Sequence, residues 1–312
     1  MSKPLILLVI VLIAGGCRFF KGDPYKNTTI SGKTSIAVDE TFRPVMEAEV
    51  DLFKAVYGYS DIRARYVPEN EAIELLMKDS VQLIVISRKL TDAETQQLND
   101  RKLFPKQLKV ATDAVALIAH PSCKDSVISL KQIREILGGK LSNWHQVNAT
   151  SPSSPIKVLF DNKRSGIVRL MADSICHGNF SAKNVSALEF NKELIEYTAS
   201  HPGVLGFIGA CWIANKNDSL HLSFHQKISV LSVSESESPN AGNSYKPYQA
   251  YLLDQMYPLT RSVYMINAEP RNGLATGFAS FVASDKGQRI ILKSGIIPAI
   301  TPVRVVNVRP NL

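Results

Sequence analysis

Residues 83–90 read Leu83-Ile84-Val85-Ile86-Ser87-Arg88-Lys89-Leu90: four apolar residues in a row, then a small hydroxyl and two cations. A short apolar run bounded by polar turn residues suits a wholly apolar strand and is too brief for a buried helix. Such a strand needs cover, and its neighbours supply it. Upstream, Glu69 to Met77 reads as a helix; downstream, Thr91 followed by Glu94 has the spacing of a capping box, which opens another.

The same alternation extends outward in both directions. Short strands are expected at Ser35 to Val38, Ile62 to Val67, Val110 to Ala119, Ile156 to Phe160, Leu205 to Ile208, Lys227 to Leu231 and Arg261 to Ile266. Between them, Pro44 to Tyr57 places Met46, Val50, Phe53 and Tyr57 at helical spacing, a buried stripe. Ser129 with Gln132 is a second capping box, and helices are expected at Gly166 to Cys176, Lys192 to Ala199, Leu274 to Ala283 and Lys286 to Lys293. Strand–helix alternation of this kind means an α/β chain with mostly parallel sheet covered by helices. Ser232 to Ser244, rich in Ser, Glu, Pro and Gly, reads as a solvated loop.

The chain has 312 residues, 45% of them hydrophobic and 21% charged, with a net charge of +8. That apolar fraction excludes a disordered chain, and the length allows two lobes, each with its own core. Four Cys are too few for a disulfide scaffold. A basic balance invites an anionic partner, but Lys and Arg are scattered and form no stripe that nucleic acid would follow, so a nucleic-acid partner is not expected.

The N-terminus sets the compartment. Met1-Ser2-Lys3 is a short basic start, Leu5 to Ile13 an unbroken apolar run, and Ala14-Gly15-Gly16-Cys17 follows. The run is too short to span a bilayer and fits a signal-peptide core. Small residues directly before Cys resemble the bacterial lipoprotein box, which implies removal of residues 1–16, acylation of Cys17 and a polar tether over 17–33. Two kinds of acyl linkage hold a protein on a lipid bilayer far better than one chain does. In an exported body Cys123, Cys176 and Cys211 allow one disulfide and one thiol, with all three pairings open. CxxC spacing is absent, and His221 and His225 lie in an alternating, strand-like stretch, so no metal or other cofactor is expected.

Three strand-to-helix junctions carry small polar residues: Asp39-Glu40-Thr41-Phe42, Ser87-Arg88, and Asp161-Asn162-Lys163-Arg164-Ser165-Gly166. In parallel α/β sheets ligands bind at the carboxyl ends of strands, where free backbone N–H groups, hydroxyls and guanidinium forks suit a tetrahedral oxyanion. Asp39 to Pro44 looks like the Thr-Phe opening of the phosphate-binding proteins of bacterial phosphate ABC transporters, and Leu83 to Leu90 resembles that family's second loop. Asp161 to Gly166 falls where the family has Arg-x-x-x-Ser-Gly-Thr, and His201-Pro202-Gly203-Val204-Leu205-Gly206-Phe207-Ile208 is similar to its Pro-Gly-x-Ile-Gly-Tyr segment. Tyr257-Pro258-Leu259, Phe278 to Phe281, Gly287-Gln288 and Gly295 to Pro298 echo its last third, so the resemblance runs from about residue 34 to 300.

The resemblance implies a two-lobe class II periplasmic solute-binding fold, its lobes joined by two crossing strands and closing on one oxyanion. Lobe 1 would comprise 34–114 plus 258–312, and lobe 2 residues 115–257. It implies inorganic phosphate or a similar oxyanion as ligand, an ABC permease as partner, and a cell-envelope location. Its binding residues carry over to Thr41, Phe42, Ser87, Ser165 and Gly166; Ser87 falls at or beside an Asp that some members use to accept a proton from phosphate. Two positions depart: Asp161 stands where the family has Arg, and Ile167 where it has Thr. Arg88 and Arg164 are then the neighbouring candidates for the missing charge, and Asp161 would need one of Arg88, Lys163 or Arg164 as a partner.

An enzyme reading fails on geometry. Ser154-Pro155-Ile156-Lys157, Ser238-Pro239-Asn240 and Lys293-Ser294-Gly295 match the order of the penicillin-binding motifs. That chemistry needs Ser and Lys on one helical turn, whereas Pro152 and Pro155 flank Ser154 and Lys157 opens an extended run.

Overall fold

A computed structural model describes residues 26–123, 126–151, 153–178, 180, 183–214 and 226–300. In chain order the elements are β1 (Gly32–Asp39), α1 (Arg43–Val56), β2 (Ser60–Val67), α2 (Glu69–Met77), β3 (Leu83–Ile86), α3 (Asp92–Asp100), β4 (Lys106–Ala119), β5 (Val127–Ser129), α4 (Leu130–Leu137), α5 (Trp144–Val147) and β6 (Lys157–Phe160). Then follow α6 (Gly166–Leu170), β7 (Val185–Ala187), α7 (Asn191–Ser200), β8 (Val204–Gly209), α8 (Ala210–Ile213), β9 (Ser229–Val230), β10 (Ser232–Ser234), α9 (Gln249–Leu253), β11 (Thr260–Asn267), α10 (Leu274–Val282), α11 (Asp285–Lys293) and β12 (Ile297–Pro298).

The main sheet runs β2-β1-β3-β11-β4-β8-β6-β7. Its two wings are parallel: β1 lies between β2 and β3, and β6 between β8 and β7. The centre is antiparallel. β4 pairs with β11 along 106–114, from Asn267↔Lys106 to Thr260↔Ala114, and with β8 along 115–119, from Val115↔Gly209 to Ala119↔Leu205. One fourteen-residue strand therefore serves both halves. Beside it the chain crosses a second time at Tyr257 to Leu259, where Val115 N–H donates to Leu259 O (2.8 Å) and the Tyr257 hydroxyl to Val115 O (2.7 Å). This is the expected two-lobe α/β fold.

Helices cover the wings. Of the stripe expected on α1, Met46, Val50 and Phe53 are buried, joined by Val45, whereas Tyr57 lies just past the helix end and is half-buried. The Phe53 ring meets Phe278 edge-on at 5.5 Å and Phe281 at 5.3 Å. Both expected capping boxes form, at Thr91/Glu94 and Ser129/Gln132. Two expectations need correction. The helix after Ser165 is α-helical only to Leu170 and then widens to a π turn over Met171–Ile175, with Cys176 N–H donating to Met171 O (2.9 Å). The segment from Ser232 is not all solvated loop: β10 pairs with β5, Val233 is buried, and the buried Ser234 hydroxyl donates to Asn243 O (2.7 Å). Polar residues on alternate positions hid one inward-facing side of a short strand.

Among the described residues no helix is long and apolar enough to cross a membrane, no disulfide joins the cysteines, and no group of three or more His, Cys, Asp or Glu is placed to hold a metal ion. Cys17, His221 and His225 lie outside the described residues.

Candidate functional site

The carboxyl ends of β1, β3 and β6 converge where the two wings face each other. Thr41 follows β1, Ser87 follows β3, and Ser165 and Gly166 follow β6; all four are buried. A methyl group on Gly166 would collide with Ser87 Oγ and stand 2.7 Å from Glu69 Oε2 and 3.1 Å from Asp39 Oδ2. The loops from opposite lobes are thus in contact, and glycine is needed there for its lack of a side chain rather than for its backbone angles.

The hydroxyls do not face empty space. Thr41 Oγ1 lies 3.0 Å from Asp39 Oδ1 and 2.9 Å from Asp161 Oδ2, and Ser165 Oγ donates to Asp161 Oδ1 at 2.6 Å. Ser87 donates twice to Glu69 Oε2, through its hydroxyl and, at 2.8 Å, through its backbone N–H. Arg169 reaches across from α6, with Nε on Glu69 Oε1 (2.7 Å) and Nη2 on Ser87 Oγ (3.0 Å). Asn191 at the start of α7 donates from its amide nitrogen to Glu40. Trp212 Nε1 and Cys211 Sγ donate to Thr41 O at 2.8 Å and 3.2 Å, which fixes the turn that carries Thr41.

A buried cation comes from the hinge. Arg261 on β11 donates through Nε (3.0 Å) and Nη2 (2.8 Å) to Asp113 Oδ2 on β4, and its guanidinium lies 4.7 Å from the centroid of the Phe42 ring. Its Nη1, like Asp39 Oδ2, Asp113 Oδ1 and Asn191 Oδ1, is buried without a hydrogen-bond partner among the described residues. Such orphaned groups cost free energy, so their concentration at one crevice marks a place built for something besides packing.

Carboxylates outnumber cations here, and their protons respond. Burial, with the charges of Glu69 and Asp161, pushes Asp39 up to about 7, although Arg261 pulls it back. Burial likewise lifts Glu40 to about 7 against its Asn191 hydrogen bonds. Asp161 and Asp113 are raised, chiefly by burial. Glu69 goes the other way: burial opposes its charge, but Arg169 and the Ser87 donors outweigh that and hold it below the usual carboxylate range.

Of the residues singled out from sequence, Thr41, Phe42, Ser87, Ser165 and Gly166 meet at this crevice. Arg88 and Arg164 do not supply its charge. Arg88 is drawn outward into a two-pronged pair with Glu94 (2.7 Å for each prong), and Arg164 pairs with Glu74 across the rim. Asp161 has none of the expected cationic partners in hydrogen-bond contact; its oxygens go to hydroxyls instead. The charges come from Arg169 and Arg261, which the sequence reading passed over. Arg261 had a signal: it shares the buried face of β11 with Val263 and Met265, where a lone Arg has no packing role. Glu69 had one too, since Val67-Pro68-Glu69 is a fourth strand-to-helix handover.

A two-lobed sheet with an enclosed polar crevice at its strand ends defines a solute-binding class of protein. The chain belongs to the PBP superfamily, whose domain model matches residues 23–286. Among curated proteins it is similar to the phosphate-binding protein PstS of Borreliella burgdorferi, 22% identical over 306 residues that cover 95% of this chain and 98% of that protein. It is also similar to PstS of Pseudomonas aeruginosa, 23% identical over 289 residues, 88% of this chain and 85% of that protein. Its fold resembles a substrate-binding protein of Clostridium perfringens solved with bound phosphate (TM-score 0.72, 20% identity, 86% of this chain and all of that one). An ABC-type phosphate transport receptor from Vibrio cholerae has a TM-score of 0.61 at 15% identity, over 85% of this chain and 99% of that one. Asp161 and Ile167 remain the two loop positions that depart from the pattern the resemblance implies.

Proposed function

We propose that this protein is a solute-binding component that captures inorganic phosphate, or a related tetrahedral oxyanion, and hands it to an ABC permease. The observation that carries the reading is the meeting of Thr41, Ser87 and Ser165, from three separated turns, in one buried crevice. Hydroxyls, the backbone around Gly166, and the guanidinium groups of Arg169 and Arg261 would receive the anion after displacing the internal carboxylate contacts. Lobes 34–114 plus 258–312 and 115–257 would open and shut about the two crossings. Closure is then driven by the higher affinity of the shut form, and no bond is made or broken. Cys17, acylated after loss of residues 1–16, would hold the body at the cell-envelope membrane through the 17–33 tether.

The test is calorimetric titration of the soluble body with phosphate, sulfate and molybdate. Heat and a thermal upshift with phosphate support the reading; neither, at millimolar phosphate, overturns it. Thr41→Val is expected to abolish the ligand-induced upshift. A second reading, a sensor or assembly lipoprotein whose cleft no longer takes an anion, draws on the carboxylates of Asp39, Glu69 and Asp161 at the centre of the crevice. Silence toward every oxyanion would favour it.

A further inference from the structure

Asp161 does more than interrupt a motif. Its side chain makes, with its own oxygens, the contacts an incoming oxyanion would make: Oδ1 takes the Ser165 hydroxyl at 2.6 Å, and Oδ2 lies 2.9 Å from the Thr41 hydroxyl and 3.4 Å from the Asn191 amide nitrogen. Thr41 and Asp161 sit on opposite sides of the crevice, so this carboxylate also bridges the lobes. The groups around it are mostly of its own sign: Asp39 at the end of β1, Glu40 in the next turn and, beyond Asp39, Glu69 at the start of α2, with Asp113 on β4 already bound to Arg261. Facing them are Arg261 from β11 and Arg169 from α6, the latter spent on Glu69.

We propose that Asp161 is a specificity-determining residue of this crevice, a tethered anion that occupies the Thr41 and Ser165 hydroxyls, so that a free oxyanion enters only together with a proton. The inference rests on the oxyanion reading above and adds a condition to it. Two negative groups a few ångströms apart in a buried site cannot both stay ionised, and the site relieves the conflict by taking up a proton. That proton comes from solvent onto Asp161 or its acidic neighbours, or arrives on the oxyanion. Either way the buffer supplies it, no electrons move, and affinity falls as pH rises. Asp39 and Glu40, each pushed up to about 7, make the uptake accessible near neutrality, and burial raises Asp161 in the same direction.

Titration with phosphate in two buffers of different ionisation enthalpy, at about pH 7.5 and about pH 6, counts the protons directly. The full body is compared with Asp161→Asn, which keeps the shape and removes the charge. The wild type is expected to take up a proton on binding. D161N is expected to take up at least half a proton fewer, to bind about tenfold more tightly at the higher pH, and to lose most of the pH slope. Binding by D161N alone would support the inference while overturning oxyanion capture as the native role. Equal affinity and equal proton uptake in the two forms would overturn the inference and leave oxyanion capture standing. No binding by either form overturns both. Should D161N fail to fold, Asp161→Ser carries the same comparison.

Discussion

Glu49 lies on the buried face of α1, and neither of its carboxylate oxygens finds a hydrogen-bond partner among the described residues. Burial pushes its pKa up to about 9. The folded protein therefore holds a proton there that the unfolded chain releases at ordinary carboxylate pH. Stability is full below the unfolded value near 4.5 and is lost as pH rises toward 9, at a limit of about 1.4 kcal/mol per pH unit. Glu49→Gln is expected to raise the melting temperature at pH 8 and to change it little near pH 4.5, which scanning calorimetry at the two pH values checks. Arg261 and Asp113 are the opposite case, a buried pair in which each partner compensates the other. Arg261→Met leaves Asp113 stranded and should cost about 3–5 kcal/mol in urea unfolding, much of it recovered by Asp113→Leu in the same chain. Neither Glu49 nor Asp113 could be read as buried from sequence, because their partners, or lack of them, come from distant elements.

The handovers between strand and helix show what local pattern can and cannot fix. Both capping boxes were legible because the reciprocal bonds span three residues, and both form. One of them also explains why Arg88 is absent from the crevice: Glu94, which closes the box on Thr91, holds the Arg88 guanidinium as well. Arg88→Ala should therefore leave oxyanion affinity within about twofold, whereas Ser87→Ala removes a group inside the crevice and should cost about tenfold by calorimetry. Gly166→Ala puts a methyl group against Ser87 and Glu69 of the other lobe. It is expected to hold the lobes apart, giving a larger radius of gyration by small-angle scattering with an unchanged far-ultraviolet dichroism spectrum. Ordered segments along the chain were enough to place Thr41, Ser87, Ser165 and Gly166. Arg169 and Arg261 were missed because they arrive from a helix interior and a central strand, where no motif marks them.

Across the chain as a whole, most wing strands were readable because each is followed by a covering helix close in sequence, although the short edge strand β7 went unread. The central strands β4 and β11 were legible as strands, but their pairing was not, for β11 returns after a long excursion to lie between β3 and β4, and its register there depends on contacts far apart in the chain. That arrangement makes β4 common property. Its first part completes one half of the sheet, its last part the other, and Val115 sits at the changeover. Neither half owns a full set of strands, so melting one would strip the other of its border. Heating should give a single cooperative transition, with equal calorimetric and van't Hoff enthalpies, where two beads on a string would give two.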